Sequence, residues 1–188
     1  MKAVAQLASV ALFASAALAS PIERREAMFK LRLSSTAYPP LDGKYLSSAG
    51  AAGAEEQPTT VGVFGDSSAD ASYTVQLVPG DAAGTYELYQ APNDGVHQLG
   101  LYGPMGFSSL AELEDPEDKV YIPEIEVKYS RWNITEAEGK TLLRYADEVE
   151  SRWAAQPAAD DNWEVKWYDG RNPILANTMP VEVEVVAA

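Results

Sequence analysis

The sequence predicts an all-β fold, either a β-sandwich or a barrel-like sheet, from three observations. Short runs rich in Val, Leu, Tyr and Thr recur along the chain. Gly, Pro, Asn and Asp separate these runs, and they are the residues that supply the backbone angles of turns. Two late segments, 163–168 and 181–185, alternate between apolar and polar residues, which is the period of a strand with one buried face.

The expected strands follow one another with turn residues between them. Asp42-Gly43, Pro79-Gly80 and Gly103-Pro104 mark turns, because glycine accepts positive φ and proline fixes φ. The early and central strands are predicted at residues 28–34, 44–47, 60–64, 73–78, 85–89, 98–102 and 120–129.

The segment 135–155 has two interpretations. Leu142, Ala146, Val149 and Trp153 recur at helical spacing, and a Thr-Glu-Ala-Glu start resembles a capping box, so one helix around residues 136–154 is consistent with the pattern. The alternative is two strands, at 141–146 and 152–156. The sequence favours strands, because 152–156 can pair with 162–168 across a short polar turn.

The N-terminus has the composition of a secretory signal peptide. Lys2 precedes an apolar run that ends in Ala17-Leu18-Ala19, which predicts cleavage after Ala19 and a secreted, extracellular or cell-wall protein. The pair Arg24-Arg25 then resembles a processing site, so cleavage after Arg25 would make 20–27 a short pro-segment. The remainder, 28–188, is expected to be a single β-rich domain.

Charge and cysteine content exclude several functions. The formal net charge is −14, and such a surface repels nucleic acid and anionic membranes, so we expect neither as a partner. The chain has no cysteine, which excludes disulfides, thiol catalysis and thiolate metal sites. We expect no cofactor and no metal, since His97 is the only histidine and the acidic run 112–118 lacks the ligand spacing of a calcium loop. That acidic run is instead expected to be a solvated loop.

One segment resembles a catalytic motif. Phe64-Gly65-Asp66-Ser67 is similar to the nucleophile block of the GDSL lipases and esterases, and Asp94 with His97 matches their Asp-x-x-His block. The resemblance implies Ser67 as nucleophile, His97 as base and Asp94 as its orienting carboxylate. The histidine block of that family lies near the C-terminus, however, and here it follows Ser67 closely. We therefore expect two turns rather than a catalytic triad.

Tryptophans and one sequon suggest binding and modification. Trp132 and Trp153 are candidates for stacking against a glycan, whereas Trp163 and Trp167 share one face of a predicted strand and are expected in the core. Asn133-Ile134-Thr135 is a sequon, so Asn133 is predicted to carry a glycan.

The order of these features resembles that of small secreted β-rich proteins of filamentous ascomycete fungi. The resemblance rests on Phe29-Lys30-Leu31-Arg32-Leu33, on 41–47 with the Gly/Ala loop after it, and on the tryptophan-rich and valine-rich strands at the end. It implies a fungal protein of unassigned chemistry that is effector-like or wall-associated and binds a cell-wall glycan or a host protein. The alternative is a secreted hydrolase, a GDSL-like esterase or a glycosidase.

Overall fold

Antiparallel strands form nearly all the regular structure of the computed structural model, which describes residues 27–49, 58–117, 123–145, 152–170 and 176–188. Thirteen strands and one 3-10 turn, Pro39–Leu41, are present in those ranges. The strands are β1 Met28–Ser34, β2 Ser47–Ser48, β3 Thr59–Val63, β4 Thr74–Pro79, β5 Tyr86–Gln90, β6 His97–Pro104, β7 Phe107–Glu114, β8 Ile125–Lys128, β9 Trp132–Ala137, β10 Lys140–Tyr145, β11 Arg152–Pro157, β12 Trp163–Tyr168 and β13 Met179–Ala187. None of the described residues forms a helix that could cross a membrane.

Six of the strands close into a barrel. The ring runs β1, β4, β5, β9, β10 and β13, and β13 pairs with β1 again to complete it. The pairing of β1 with β13 is extensive, from Phe29 opposite Ala187 to Ser34 opposite Glu182. Closure leaves the ring without a free edge, which protects it from pairing with other chains.

Three hairpins cover one end of this barrel. They are β2–β3, β6–β7 and β11–β12, and they pair with one another in a triangle through β3–β7, β7–β12 and β12–β3. The chain therefore makes three similar units, β1–β4, β5–β9 and β10–β13, around a pseudo-threefold axis. This arrangement is a β-trefoil, and the prediction of an all-β, barrel-like fold is confirmed.

The core is aromatic where the barrel meets its cap. Trp132, Trp153 and Trp167 are at most 1% exposed, and Tyr145 packs with them. The ring of Trp153 lies 4.8 Å from that of Trp167 and 6.1 Å from that of Trp132. Two of the buried indole N–H groups donate to backbone carbonyls: Trp132 Nε1 to Leu99 O and Trp153 Nε1 to Leu143 O. Large buried rings whose polar groups are hydrogen-bonded thus stabilise a fold that has no disulfide.

The alternative of a helix around 136–154 is wrong, because β9, β10 and β11 occupy the described part of that segment. Glu138 and Gly139 have φ of 52° and 74°, the positive values of a two-residue type I′ turn that joins two strands of a hairpin. The strand prediction for 141–146 and 152–156 matches β10 and β11 closely, although 146–151 lies outside the described residues.

Two other predictions need correction. The acidic run was expected to be a solvated loop, but Glu112 and Glu114 lie on β7, where their neighbours Leu110 and Leu113 are fully buried. Of the predicted strand 120–129, residues 120–122 lie outside the described residues, and the described remainder contains the shorter strand β8. The signal peptide, Ala19 and Arg25 lie outside the described residues.

Candidate functional site

The end of the barrel opposite the three hairpins has no such cap among the described residues, and we call it the mouth. Here β4 turns into β5, β9 turns into β10, β1 begins and β13 ends. The two chain ends of the domain meet at the mouth, since the backbone N–H of Ala188 donates to Met28 O at 3.0 Å. The mouth is thus formed by segments far apart in the sequence.

A pocket of about 580 Å³ opens at the mouth. This volume falls in the range of small-molecule sites, about 300–1,000 Å³, and barrel mouths are one of the places where such sites occur. Its walls come from β1, β4, β5, β9, β10, β13 and the β4–β5 turn: Ala27, Phe29, Leu77, Pro79, Gly80, Asp81, Ala82, Ala83, Gly84, Thr85, Tyr86, Ile134, Thr141 and Val185.

The floor of the pocket is apolar because the barrel strands turn alternate side chains inward. Leu77 and Val185 belong to the buried core, and Phe29, Tyr86 and Ile134 are partly buried against it. These five side chains present aliphatic and aromatic surface to the opening. A ligand that covers them would gain about 25 cal/mol for each Å² of apolar surface that both sides remove from water.

The β4–β5 turn forms a defined lip on one side of the mouth. Gly80 N–H donates to Thr85 O at 2.9 Å, and Thr85 N–H and Oγ1 both donate to Ala82 O, at 3.1 and 2.7 Å. A Cβ atom at position 80 would lie 2.9 Å from Thr85 Oγ1, so glycine is required for this close approach. The lip is therefore held by its own hydrogen bonds.

The rim carries negative charge. Asp81 on the lip is the only charged side chain that lines the pocket among the described residues. On the other side, Thr141 lines the pocket and its Oγ1 donates to Glu136 Oε1 at 2.7 Å. Glu136 lies on the same face of β9 as Ile134, two residues nearer the mouth, and both it and Asp81 are exposed. Lys140, which precedes Thr141 on β10, is directed to the outer face, where it contacts Ser34 and Glu184.

The structure brings together two of the three predicted catalytic residues. His97 Nδ1 lies 2.6 Å from Asp94 Oδ2, while Asp94 Oδ1 accepts the backbone N–H groups of Val96 and His97 at 2.9 Å each. These hydrogen bonds hold the pKa of Asp94 well below its usual range, and the bond to Asp94 raises the pKa of His97.

Ser67 does not join that pair. Its carbonyl accepts the backbone N–H of Tyr45 at 3.1 Å, and no hydrogen bond links Ser67 to His97 within the described part of the chain. A serine without a hydrogen-bonded base is a poor nucleophile. The Asp94–His97 contact stabilises the turn before β6, as the turn interpretation predicts.

The tryptophans proposed for glycan stacking point into the core. Trp132 and Trp153 are buried at 0% and 1% exposure, so neither offers a ring face to a ligand from solvent. Trp163 is the half-buried one, with Tyr38 5.3 Å from its ring. Asn133 is partly exposed on the outer face of β9, and its glycosylation stays a prediction. No group of side chains among the described residues could hold a metal ion.

Comparison with known proteins assigns no family. No family model matches the chain, and no curated protein matches it. Among solved structures, the crystal structure of the Haemophilus ducreyi cytolethal distending toxin is similar, with a TM-score of 0.48 and 9% identity over 90% of this chain and 85% of that chain. The mouth is therefore the feature of this chain that bears on its function.

Proposed function

We propose that this chain is an extracellular binding protein and that the mouth of the barrel is its ligand site. The pocket at the mouth is the observation that carries the proposal. It combines a volume suited to a small ligand with a continuous apolar floor and a hydrogen-bonded lip. A secreted location, as expected from the N-terminal sequence, gives such a protein access to ligands outside the cell.

Binding is favoured over hydrolysis by the chemistry of the walls. The lining offers two threonine hydroxyls, and both are already donors to other oxygens, Thr85 to Ala82 and Thr141 to Glu136. No histidine or lysine that could act as a base lines the pocket within the described residues. The site can hold an apolar molecule, and its wall lacks a nucleophile paired with a base.

We also propose an effector-like or wall-associated role, in which surface outside the mouth binds a cell-wall glycan or a host protein. The half-buried pair Tyr38 and Trp163 offers a partly exposed aromatic surface for such a contact. A fungal source likewise remains a proposal that rests on the sequence resemblance.

The test is a titration of the secreted protein with N-phenyl-1-naphthylamine, a neutral probe that fluoresces in apolar surroundings. The variant Thr141→Trp adds a large ring to the pocket wall and should weaken probe binding at least about tenfold, a loss of about 1.4 kcal/mol. The matched control is Thr74→Trp, which places the same ring on the outer face of β4 and should change binding less than twofold.

Two results would contradict the proposal. One is the absence of probe binding to the unmodified protein, and the other is equal binding by Thr141→Trp and the control while both remain folded by circular dichroism. Turnover of short-chain esters that is lost in Ser67→Ala would instead support the hydrolase.

A further inference from the structure

The charge distribution around the mouth narrows the chemistry of its ligand. The interior presents hydrocarbon, whereas the lip and the opposite side each carry an exposed carboxylate, Asp81 and Glu136. The lining contains no positive side chain among the described residues. A ligand whose tail fills the floor would therefore place its head group between two negative charges.

We propose that the mouth binds a cationic amphiphile, a molecule with an apolar chain and an ammonium head group. This inference rests on the proposed function, because it assigns the ligand class of the same pocket. The tail would cover Phe29, Leu77 and Ile134, and the head group would lie at the rim near Asp81 and Glu136.

Position and hydrogen bonding both support Glu136 as a rim group. Its carboxylate is fixed by Thr141 Oγ1 through Oε1, which leaves Oε2 to accept a further donor. Asp81 belongs to the lip whose backbone is held by the hydrogen bonds between Gly80, Ala82 and Thr85. An anionic head group would meet repulsion from the same two carboxylates and from a chain of net charge −14.

The experiment displaces N-phenyl-1-naphthylamine from the secreted protein with three ligands of equal chain length: decylamine, decan-1-ol and decanoate. At pH 7 the amine is positive and the carboxylate negative. We expect decylamine to bind tightest and decanoate weakest, with a difference of at least about fivefold at low salt that shrinks as salt is added.

Charge variants test whether the rim is responsible. The double variant Asp81→Asn/Glu136→Gln should bring the three ligands within about twofold of one another. The control Asp160→Asn/Asp161→Asn removes the same charge from the β11–β12 turn in the cap, where both residues have positive φ that asparagine accepts, and it should keep the full preference.

The outcomes separate this inference from the proposed function. Equal displacement by all three ligands, or tighter binding of decanoate, would overturn the cationic ligand while leaving the mouth as a binding site. An equal loss of preference in the cap control would show that net charge rather than the rim is responsible, and would also overturn the inference. Failure of the probe to bind at all would overturn both.

Discussion

His97 is the described residue whose charge changes in the range of ordinary working pH. Its bond to Asp94 raises the pKa of the imidazole above the value expected in the unfolded chain, so the folded state binds the proton more tightly. The stabilisation is complete below the unfolded pKa of about 6.5 and is lost as pH rises through the folded pKa.

We therefore expect His97→Gln to lower the melting temperature more at pH 5.5 than at pH 8.5. The reason is that the variant removes an imidazole that is positively charged at the lower pH and loses this charge as the pH rises. In an Asp94→Asn background, which keeps an acceptor for the backbone N–H groups, the pH dependence of the His97→Gln effect should disappear. An equal effect at both pH values in the native background would show that Asp94 does not raise the pKa of His97.

Residue chemistry was partly visible in the sequence. The resemblance to the Asp-x-x-His block implied a contact between Asp94 and His97, and in the structure Asp94 Oδ2 lies 2.6 Å from His97 Nδ1. The same resemblance implied Ser67 as their partner, but a contact between Ser67 and His97 depends on how two loops fold towards each other. The backbone carbonyl of Ser67 instead accepts a hydrogen bond from the backbone N–H of Tyr45.

At the scale of the element, β12 shows how one strand passes from the surface into the core. Trp163, Val165 and Trp167 share a face, yet Trp163 is half-buried and Trp167 is 1% exposed. The strand pairs with β3 at its first residues and with β7 at its last, and near its end Trp167 contacts Tyr145 of the barrel. The alternation predicted the shared face correctly and overestimated the burial of Trp163.

This gradient predicts unequal costs for the two tryptophans. Trp167→Ala should lower the free energy of unfolding by about 3–5 kcal/mol, because it leaves a cavity beside Trp153 and Tyr145. Trp163→Ala should cost no more than about half as much, since its ring is partly solvated and lies at the edge of the core beside Tyr38. Urea denaturation measures both, and equal losses would contradict the gradient.

The helix alternative for 136–154 failed for a local reason. Leu142 lies on β10 and Trp153 on β11, so their helical spacing does not reflect a helix. Gly139, with Glu138 before it, was the signal for a two-residue hairpin, and both residues have positive φ. A search for turn residues inside that segment would have favoured the hairpin over the helix.

At the scale of the whole molecule, the barrel depends on pairings that no sequence window contains. β1 pairs with β13 across almost the whole length of the domain, and the three hairpins pair with one another in the cap. Alternation predicts where strands are, but it does not specify their neighbours. The pseudo-threefold symmetry was also hidden, because Leu, Val and Trp exchange freely at inward positions and leave no evident sequence repeat.

The mouth was missed for the same reason. Phe29, Leu77, Ile134 and Val185 read individually as ordinary core residues, and only the closed ring brings them to one end. Pro79-Gly80 was correctly predicted as a turn, but its role as the lip of a pocket follows from closure. The pocket therefore depends on closure of the ring rather than on a sequence motif.

The most direct test of the proposal that the mouth is the ligand site is a methyl-resolved NMR titration of the purified protein with decylamine. The methyl signals of Leu77, Ile134 and Val185 should shift in proportion to occupancy, because these side chains form the floor of the pocket. The methyl signals of Val61 and Val165, fully buried in the capping hairpins, should stay in place. Shifts at the cap or around Trp163 with none at the mouth, or no shifts at all, would contradict the assignment of the mouth as the ligand site.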